Sequence, residues 1–465
     1  ETFLYRTFRF VRLEIATADE PLVLEQASYR ETGYPLDVSA SFACSDETLT
    51  PLWEISLRTL QRCMYETYMD CPYYEQLQYS MDTRLQILFT YNVGADDRLA
   101  RKAIYDFHSS LLPSGMLQSR YPSRQAQVIP GFALYWIMMV HDHYAYWGDA
   151  ELVRRYRPTM DAVLDWFDRM VGPDGLVGPA PDSYWSFVDW VEHWETPSSR
   201  GVPVPGRRSP LTVYNLMYAD ALHKAAEMNA FTGRRDTAEE YRLRARRILE
   251  SVRTLCWSER HQRFQDGPGV DEYSQHAQIW AVLAGAVEGD QAVRLARSVM
   301  ADDSLHHVSY AMAFFLFRTL AATRLYDELP DKWEPWKRQV QLNMTTWLED
   351  PVSERSDCHA WGAVPLYEFP CEILGVKPGD VGYKRILIEP KPGALEWAEG
   401  RVATPHGTVH VAWQIDSEAG RFKLRVAGFR HVPMEIRLPD GSRRLLENQA
   451  EAEFSVDYDP ILDND

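Results

Sequence analysis

The chain has 465 residues, with 49 Lys+Arg against 67 Asp+Glu, a formal charge of −18. That length leaves room for roughly three domains or one large one with appendages, and the acidic balance excludes nucleic acid or an anionic membrane as main partner, since both need a basic footprint. No apolar run approaches the ~18 residues of a transmembrane helix, whereas 15 Trp, 25 Tyr and 18 Phe would suit a sugar site or an aromatic helical core alike.

The chain opens Glu1-Thr2-Phe3, with no initiator Met, basic n-region or apolar h-region. It reads as a piece starting inside a larger protein, so cytoplasm and periplasm stay equally open. Residues 3–15 alternate aromatic or aliphatic with basic side chains at period two, which predicts a half-buried strand. Such a strand needs a sheet, so it is expected to be the tail of an upstream β-domain, with a linker to residue 43.

From Ser45 the period turns helical. Ser45-Asp46-Glu47-Thr48 looks like a capping entry, and Leu49, Leu52, Trp53, Ile55 and Leu60 carry an apolar stripe to about Tyr68. Further helices are expected near 75–92, 97–112, 130–147, 150–171, 209–231, 235–256, 272–286, 290–301, 308–325, 330–343 and 359–374. Twelve helices with short Pro- and Gly-marked connections make six antiparallel pairs. Closed on themselves, they form an (α/α)6 toroid over 44–376; left open, they would form a solenoid. Residues 176–208 break the rhythm with Pro, Gly, Trp185, Trp190 and Trp194, and a loop that long inside a compact domain is usually functional. Alternating segments from about Gly382, including Gly407-Thr408-Val409-His410-Val411-Ala412-Trp413, predict a C-terminal antiparallel β-sandwich over 377–465. Cys44, Cys63, Cys71, Cys256, Cys358 and Cys371 show no CxxC spacing and read as free buried thiols.

Three segments concentrate chemistry. In Asp70-Cys71-Pro72-Tyr73-Tyr74-Glu75, followed by Asp82, Pro72 is expected to end one helix and open the next. Glu75 and Asp82 would then share a helix face beside Tyr73, Tyr74 and Tyr79. Such a wall could bind hydroxyls and raise one carboxyl toward general-acid duty; equally, Asp70 could cap and Glu75 favour the helix dipole. Thr345-Thr346-Trp347-Leu348-Glu349-Asp350 and Arg355-Ser356-Asp357-Cys358-His359-Ala360-Trp361 gather a carboxylate, an Arg, a His and two Trp. There His359 could catalyse or merely hydrogen-bond. In Trp185-Ser186-Phe187-Val188-Asp189-Trp190, Asp189 is either a solvated loop acid or a buried one with a partner. His141/His143 and His306-His307 lack a third ligand at metal spacing, so neither metal nor cofactor is expected.

Asp70-Cys71-Pro72-x-x-Glu75 with Asp82 resembles the acidic signature of bacterial α-L-rhamnosidases of glycoside hydrolase family 78. Thr345-Thr346-Trp347-x-Glu349 resembles that family's second motif, His359 falls where a family His follows, and Asp189-Trp190 resembles its substrate-binding pair. Tyr73-Tyr74 and Met81 stand where many members have Arg-Asp and Gly, so the chain resembles a divergent branch. The resemblance implies inverting hydrolysis of terminal α-L-rhamnose or a close deoxy-sugar relative. Glu75 would be general acid and Glu349 general base; Asp70, Asp82, Asp189 and His359 would bind sugar, with Tyr74, Trp190, Trp347 and Trp361 as aromatic walls. It implies a rhamnose-containing glycoside, oligosaccharide or polysaccharide as partner, and is silent on oligomeric state. Other readings are a different (α/α)6 exo-glycosidase, a polysaccharide lyase or a non-catalytic carbohydrate-binding relative.

Overall fold

The computed structural model describes residues 5–458 apart from positions 9, 195, 197, 198 and 329–331. Twelve α-helices stand among the described residues. They are α1 (Thr50–Arg62), α2 (Ser80–Gly94), α3 (Arg98–Ser109), α4 (Pro130–Trp147), α5 (Ala150–Arg169) and α6 (Thr212–Phe231). The second half holds α7 (Arg235–Cys256), α8 (Gln275–Leu283), α9 (Gly289–Ala301), α10 (Ala313–Ala322), α11 (Glu334–Gln341) and α12 (Pro365–Glu368).

Their patterning sorts them into two rings. Every residue of α2 from Ser80 to Val93 is buried, and α4 and α6 are buried on nearly every side, as helices enclosed by other helices must be. In α7 the buried residues Ala238, Tyr241, Ala245, Ile248, Leu249, Val252 and Cys256 form one stripe, with Arg and Glu outside it. Thus even-numbered helices line the centre and odd-numbered ones cover them. The inner ring runs from α2 to α4, α6, α8 and α10, and α12 packs back onto α2. Arg318 of α10 completes it by pairing with Glu368 of α12 and with Glu372 in the following π-helical turn Phe369–Ile373. The helices therefore form the closed toroid rather than the solenoid.

Strand β1 (Ser41–Cys44) precedes the toroid, and the short hairpin β2 (Trp257–Ser258) and β3 (Arg263–Phe264) lies within it. The C-terminal strands are β4 (Val376–Pro378), β5 (Ile386–Ile388), β6 (Trp397–Thr404) and β7 (Gly407–Asp416). They continue with β8 (Arg421–Ala427), β9 (Met434–Arg437), β10 (Arg443–Leu446) and β11 (Glu451–Asp457). One sheet has the order β1-β6-β7-β8-β11 and the other β10-β9-β5-β4. Their inner faces bury Val409, Val411, Trp413, Phe422, Leu424 and Val426 with Ile386, Ile388, Met434 and Ile436 in one core. All pairs are antiparallel except β5 with β9, which makes the second sheet mixed.

The helix expected near 359–374 is only α12, flanked by a 3-10 turn at Ala360–Gly362 and the π-helical turn at Phe369–Ile373, and two other places differ more consequentially from the sequence reading. Positions 1–4 and 9 lie outside the described residues; the described rest of the 3–15 segment has no regular secondary structure, with Phe8, Phe10, Val11, Leu13 and Ile15 exposed. Alternation alone does not make a strand, because the ladder needs a neighbour. The described strand at this end is instead β1, which pairs with β6 of the C-terminal sheet. The second difference is at α1 and α2. The first ends at Arg62 rather than near Tyr68, and the second starts at Ser80 rather than near Glu75. Long-range bonding overrides the helical pattern here. Tyr79 takes an extended conformation bridged to Arg120, and the Asp70 N–H donates to the Leu77 carbonyl while the Leu77 N–H donates to the Asp70 side chain, closing a loop between the helices. Glu75 therefore does not share a helix face with Asp82.

Candidate active site

The loop that replaces the expected helix start is built by its own side chains. The Leu77 N–H donates to Asp70 Oδ1 at 2.8 Å, Gln76 Nε2 donates to the Pro72 carbonyl at 2.8 Å, and the Glu75 N–H points at Cys71 Sγ at 3.4 Å. This fold of the loop lifts Glu75 clear of the helix, leaving its side chain 27% exposed. Both its oxygens are occupied: the Tyr79 hydroxyl donates to Oε2 at 2.8 Å, and Arg355 pairs with Oε1. Arg120 in turn donates to the Tyr79 oxygen at 2.9 Å, and Arg355 lies 5.7 Å over the ring of exposed Tyr74.

Within electrostatic reach stands Glu349, 6% exposed, with Oε2 lacking a hydrogen-bond partner among the described residues. Its backbone is fixed by two bonds: its N–H donates to the Ser356 carbonyl at 3.1 Å, and Trp361 Nε1 donates to its carbonyl at 2.8 Å. Burial pushes the Glu349 carboxyl up to about 7, against the opposing pull of His359 and Arg355. His359 sits between acids, its Nε2 at 2.9 Å from Asp82 Oδ1 and its Nδ1 at 3.8 Å from Glu349 Oε2, with its ring against Trp361 at 4.2 Å. Asp82, in the first turn of α2, is 2% exposed, and burial raises its carboxyl well above the usual range. Burial likewise lifts Asp70 to about 6, with neighbouring Asp82 and Glu75 reinforcing the shift and His359 opposing it. Glu75, Asp82, Glu349, His359, Trp361 and Tyr74 thus converge, with Asp70 buried behind them.

Asp189 anchors a second group. It is 1% exposed and fully engaged: Oδ2 meets His276 Nε2 at 2.7 Å and the Ser309 N–H at 2.9 Å, while Oδ1 accepts from the Ser309 hydroxyl and the Trp190 N–H. It is therefore the buried, partnered acid, and its four bonds hold the loop rather than leave it free for sugar hydroxyls. Beside it Trp190 remains part-exposed, packed on Phe187 at 4.9 Å and Trp185 at 5.9 Å. The loop closes tightly at Gly201, whose φ is +74° and where an added Cβ would strike the Phe187 ring at 2.5 Å. A ring relay of Tyr79, Phe132, Phe187 and Trp190, each within 6.1 Å of the next, joins the two groups into one wall.

Trp347 does not serve as a ring platform. It is fully buried, its Nε1 donates to Ser56 of α1 at 2.8 Å, and it packs under Gly362. Trp361 is 4% exposed and donates to the Glu349 carbonyl, whereas Trp190 is part-exposed and Tyr74 exposed. His276, Ser309, Arg120 and the pairing role of Arg355 are absent from the residues singled out by sequence. No local pattern marks them, since Arg355 lies 280 residues from Glu75, and His276 and Ser309 lie 87 and 120 from Asp189. All six cysteines are free, five of them buried. Among the described residues, no helix is long and apolar enough to cross a membrane.

The model of the bacterial alpha-L-rhamnosidase 6 hairpin glycosidase domain matches residues 37–370, and that of the bacterial alpha-L-rhamnosidase C-terminal domain matches 375–453. An α-L-rhamnosidase of Alteromonas sp. (strain LOR) is 23% identical over 463 residues, covering 90% of this chain and 47% of that protein. Among solved structures, the GH78 family rhamnosidase of Bacillus sp. GL1 has a TM-score of 0.81 at 27% identity, over 88% of this chain and 44% of that one. The Streptomyces avermitilis α-L-rhamnosidase, complexed with L-rhamnose, shares the fold at a TM-score of 0.74 and 19% identity, over 91% of this chain and 42% of that one. The chain spans less than half the length of each of these relatives.

Proposed function

Because the chain belongs to the bacterial α-L-rhamnosidase six-hairpin glycosidase family, we propose that it is a glycoside hydrolase that removes terminal α-L-rhamnose, or a close deoxy-sugar relative, with inversion. The observation that carries this reading is that Glu75 and Glu349 share Arg355 as a neighbouring charge in different electrostatic settings, Glu75 bonded to Arg355 and Tyr79 and Glu349 buried with a raised carboxyl. Two carboxyls with separated environments are what acid and base roles require.

Glu75 is assigned as the general acid. Arg355 and Tyr79 hold its side chain at the rim, and the glycosidic oxygen must displace one of them to take the proton. Glu349 is assigned as the base. Its unpartnered Oε2 is free to accept a proton from water, and a carboxylate made more basic by burial is a better acceptor once ionised. His359, held by Asp82, lies close enough to stabilise the ionised Glu349, and Trp190 and Tyr74 offer apolar surface to sugar carbons. The lyase alternative would use a Tyr base beside a cation, as Tyr79 and Arg120 superficially supply. Burial and the adjacent Glu75 push the Tyr79 phenol up, so that it keeps its proton and makes a poor base.

The test is hydrolysis of an aryl α-L-rhamnoside, with the first-formed anomer followed by NMR. Inversion needs carboxyls ~6.5–9.5 Å apart and retention ~5–5.5 Å. The first product is expected to be the β-anomer, and Glu75→Gln and Glu349→Gln are each expected to lose ~10²–10⁴-fold in kcat while keeping the fold. An α-anomeric first product, an unsaturated product, or full activity in either variant would overturn the assignment.

A further inference from the structure

Apart from the carboxylate pair, three donors from three distant segments meet. His193 comes from the long loop, Glu272 from the segment before α8, and His306 from the segment before α10; their ligand atoms all lie within 4.8 Å of one another. The His193 and His306 rings stack at 4.1 Å with planes 12° apart, and the Nε2 atoms of both face Glu272 Oε2, at 3.7 and 3.0 Å. A hydrogen bond accounts for the shorter contact. It does not account for His193, whose nitrogen is beyond hydrogen-bond range of that oxygen.

The scaffold fixes these donors in advance. The His306 N–H donates to the Tyr273 carbonyl at 3.1 Å and the Gln275 N–H to the His306 carbonyl at 2.9 Å, strapping two ligand segments together. The third is held through its neighbour Trp194, which is fully buried, lies 4.8 Å from the His276 ring, and accepts the Gly201 N–H at its carbonyl. Two imidazole nitrogens and one carboxylate oxygen thus lie close enough to form an N₂O donor set once the rings tilt toward a common ion.

The geometry points to a divalent transition-metal site with His193, Glu272 and His306 as ligands. Two imidazole nitrogens and one carboxylate suit Zn²⁺ or a neighbour of similar softness, whereas Ca²⁺ and Mg²⁺ favour oxygen ligands throughout. Three protein ligands leave a fourth tetrahedral position to water. Side-chain exposures of 50%, 34% and 18% provide the entry path. The sequence hid this because His306-His307 has no third donor nearby, and the fold supplies it from two other segments. A bound ion would also tie the loop carrying Asp189 and Trp190 to the segment carrying Ser309. The inference does not depend on the glycosidase reading.

The test is calorimetric titration of the metal-free chain with Zn²⁺ and, separately, Ca²⁺, alongside hydrogen exchange. One Zn²⁺ per chain and no Ca²⁺ heat are expected, with slower exchange around Asp189 and Trp190 when Zn²⁺ is added. His193→Ala, at a half-exposed position that leaves the fold intact, and Glu272→Gln are each expected to weaken Zn²⁺ by more than the ~10–100-fold that losing an outer-shell partner costs. Absence of Zn²⁺ binding by the wild-type chain, or binding and exchange unchanged in both variants, would overturn the site.

Discussion

Glu349 combines near-complete burial, an oxygen without a partner, and a carboxyl raised to about 7. A base must be ionised to act, so kcat/KM is expected to climb as pH rises through about 7 and to fall away below it. Arg355 opposes that rise in pKa through its positive charge. Its removal in Arg355→Met should therefore push Glu349 further up and move the acid limb of the profile to higher pH. Neutralising Arg355 also frees one Glu75 oxygen, so kcat is expected to change along with the profile. A pH–rate curve of Arg355→Met with an unmoved acid limb would show that Glu349 is not the group that titrates. The acidic residues themselves were legible from their local motifs, because each motif is contiguous in sequence. Their electrostatic settings were not, since Arg355, His276 and Ser309 arrive through the fold and local spacing carries no record of them.

The helices show the same division. Outer helices such as α7 announce themselves through one apolar stripe, and inner helices such as α2 through apolar residues all round, so twelve elements could be read in order. Their ends could not, where tertiary bonds between Asp70 and Leu77 or Tyr79 and Arg120 cut the helical pattern short. Nor could ring closure, which depends on charges far apart in sequence. Glu372, 1% exposed, faces Arg318 of α10 at 2.6 Å, Lys391 at 2.6 Å and Lys377 of β4 at 3.2 Å. Although burial opposes it, these three cations hold the Glu372 carboxyl far below the usual range. Nearby Glu368 goes the other way, lifted to about 7 by burial, with Arg318 opposing the rise and Glu372 adding to it. Glu372→Gln takes the buried counter-charge from three part-buried cations, of which Arg318 and Lys377 keep another acid, and is expected to cost ~2–4 kcal/mol. Glu368→Gln, which replaces a carboxyl whose charged form burial disfavours, should cost distinctly less. Because Glu372 has a depressed folded pKa, its contribution is complete above the unfolded value of ~4.3 and is lost as pH falls below it. Thermal melts at neutral and acidic pH check both parts: the gap between wild type and Glu372→Gln should narrow in acid, and equal losses for the two variants would refute the division of charge.

At the scale of the whole molecule, β1 is one place where the toroid and the sandwich are joined. Its backbone pairs with β6 from Ser41 opposite Arg401 to Cys44 opposite Ala398, and the pairing continues where the Ser45 N–H donates to the Trp397 carbonyl. From the same strand, Phe42 packs on Phe369 of the π-helical turn at 4.4 Å and on Trp53 of α1 at 6.3 Å. One four-residue strand therefore belongs to the sheet by hydrogen bonds and to the helices by packing. The junction depends on Gly400 in β6, where an added Cβ would lie 2.2 Å from the Ser41 carbonyl oxygen and 2.7 Å from Leu374 Cδ1. Backbone is what it would meet, so the strand must shift rather than a side chain turn aside. Gly400→Ala is expected to cost ~1–3 kcal/mol, the range for overpacking a filled site, and Gly400→Val more. If β1 is what makes the two parts melt together, forcing it off β6 should also divide the unfolding. Scanning calorimetry is expected to show one transition in the wild type and, in Gly400→Val, an earlier transition of the sandwich separated from that of the toroid. A single transition at the wild-type temperature in Gly400→Val would mean that other contacts, such as those of Glu372 with Lys377 and Lys391, suffice to hold the two parts as one cooperative unit.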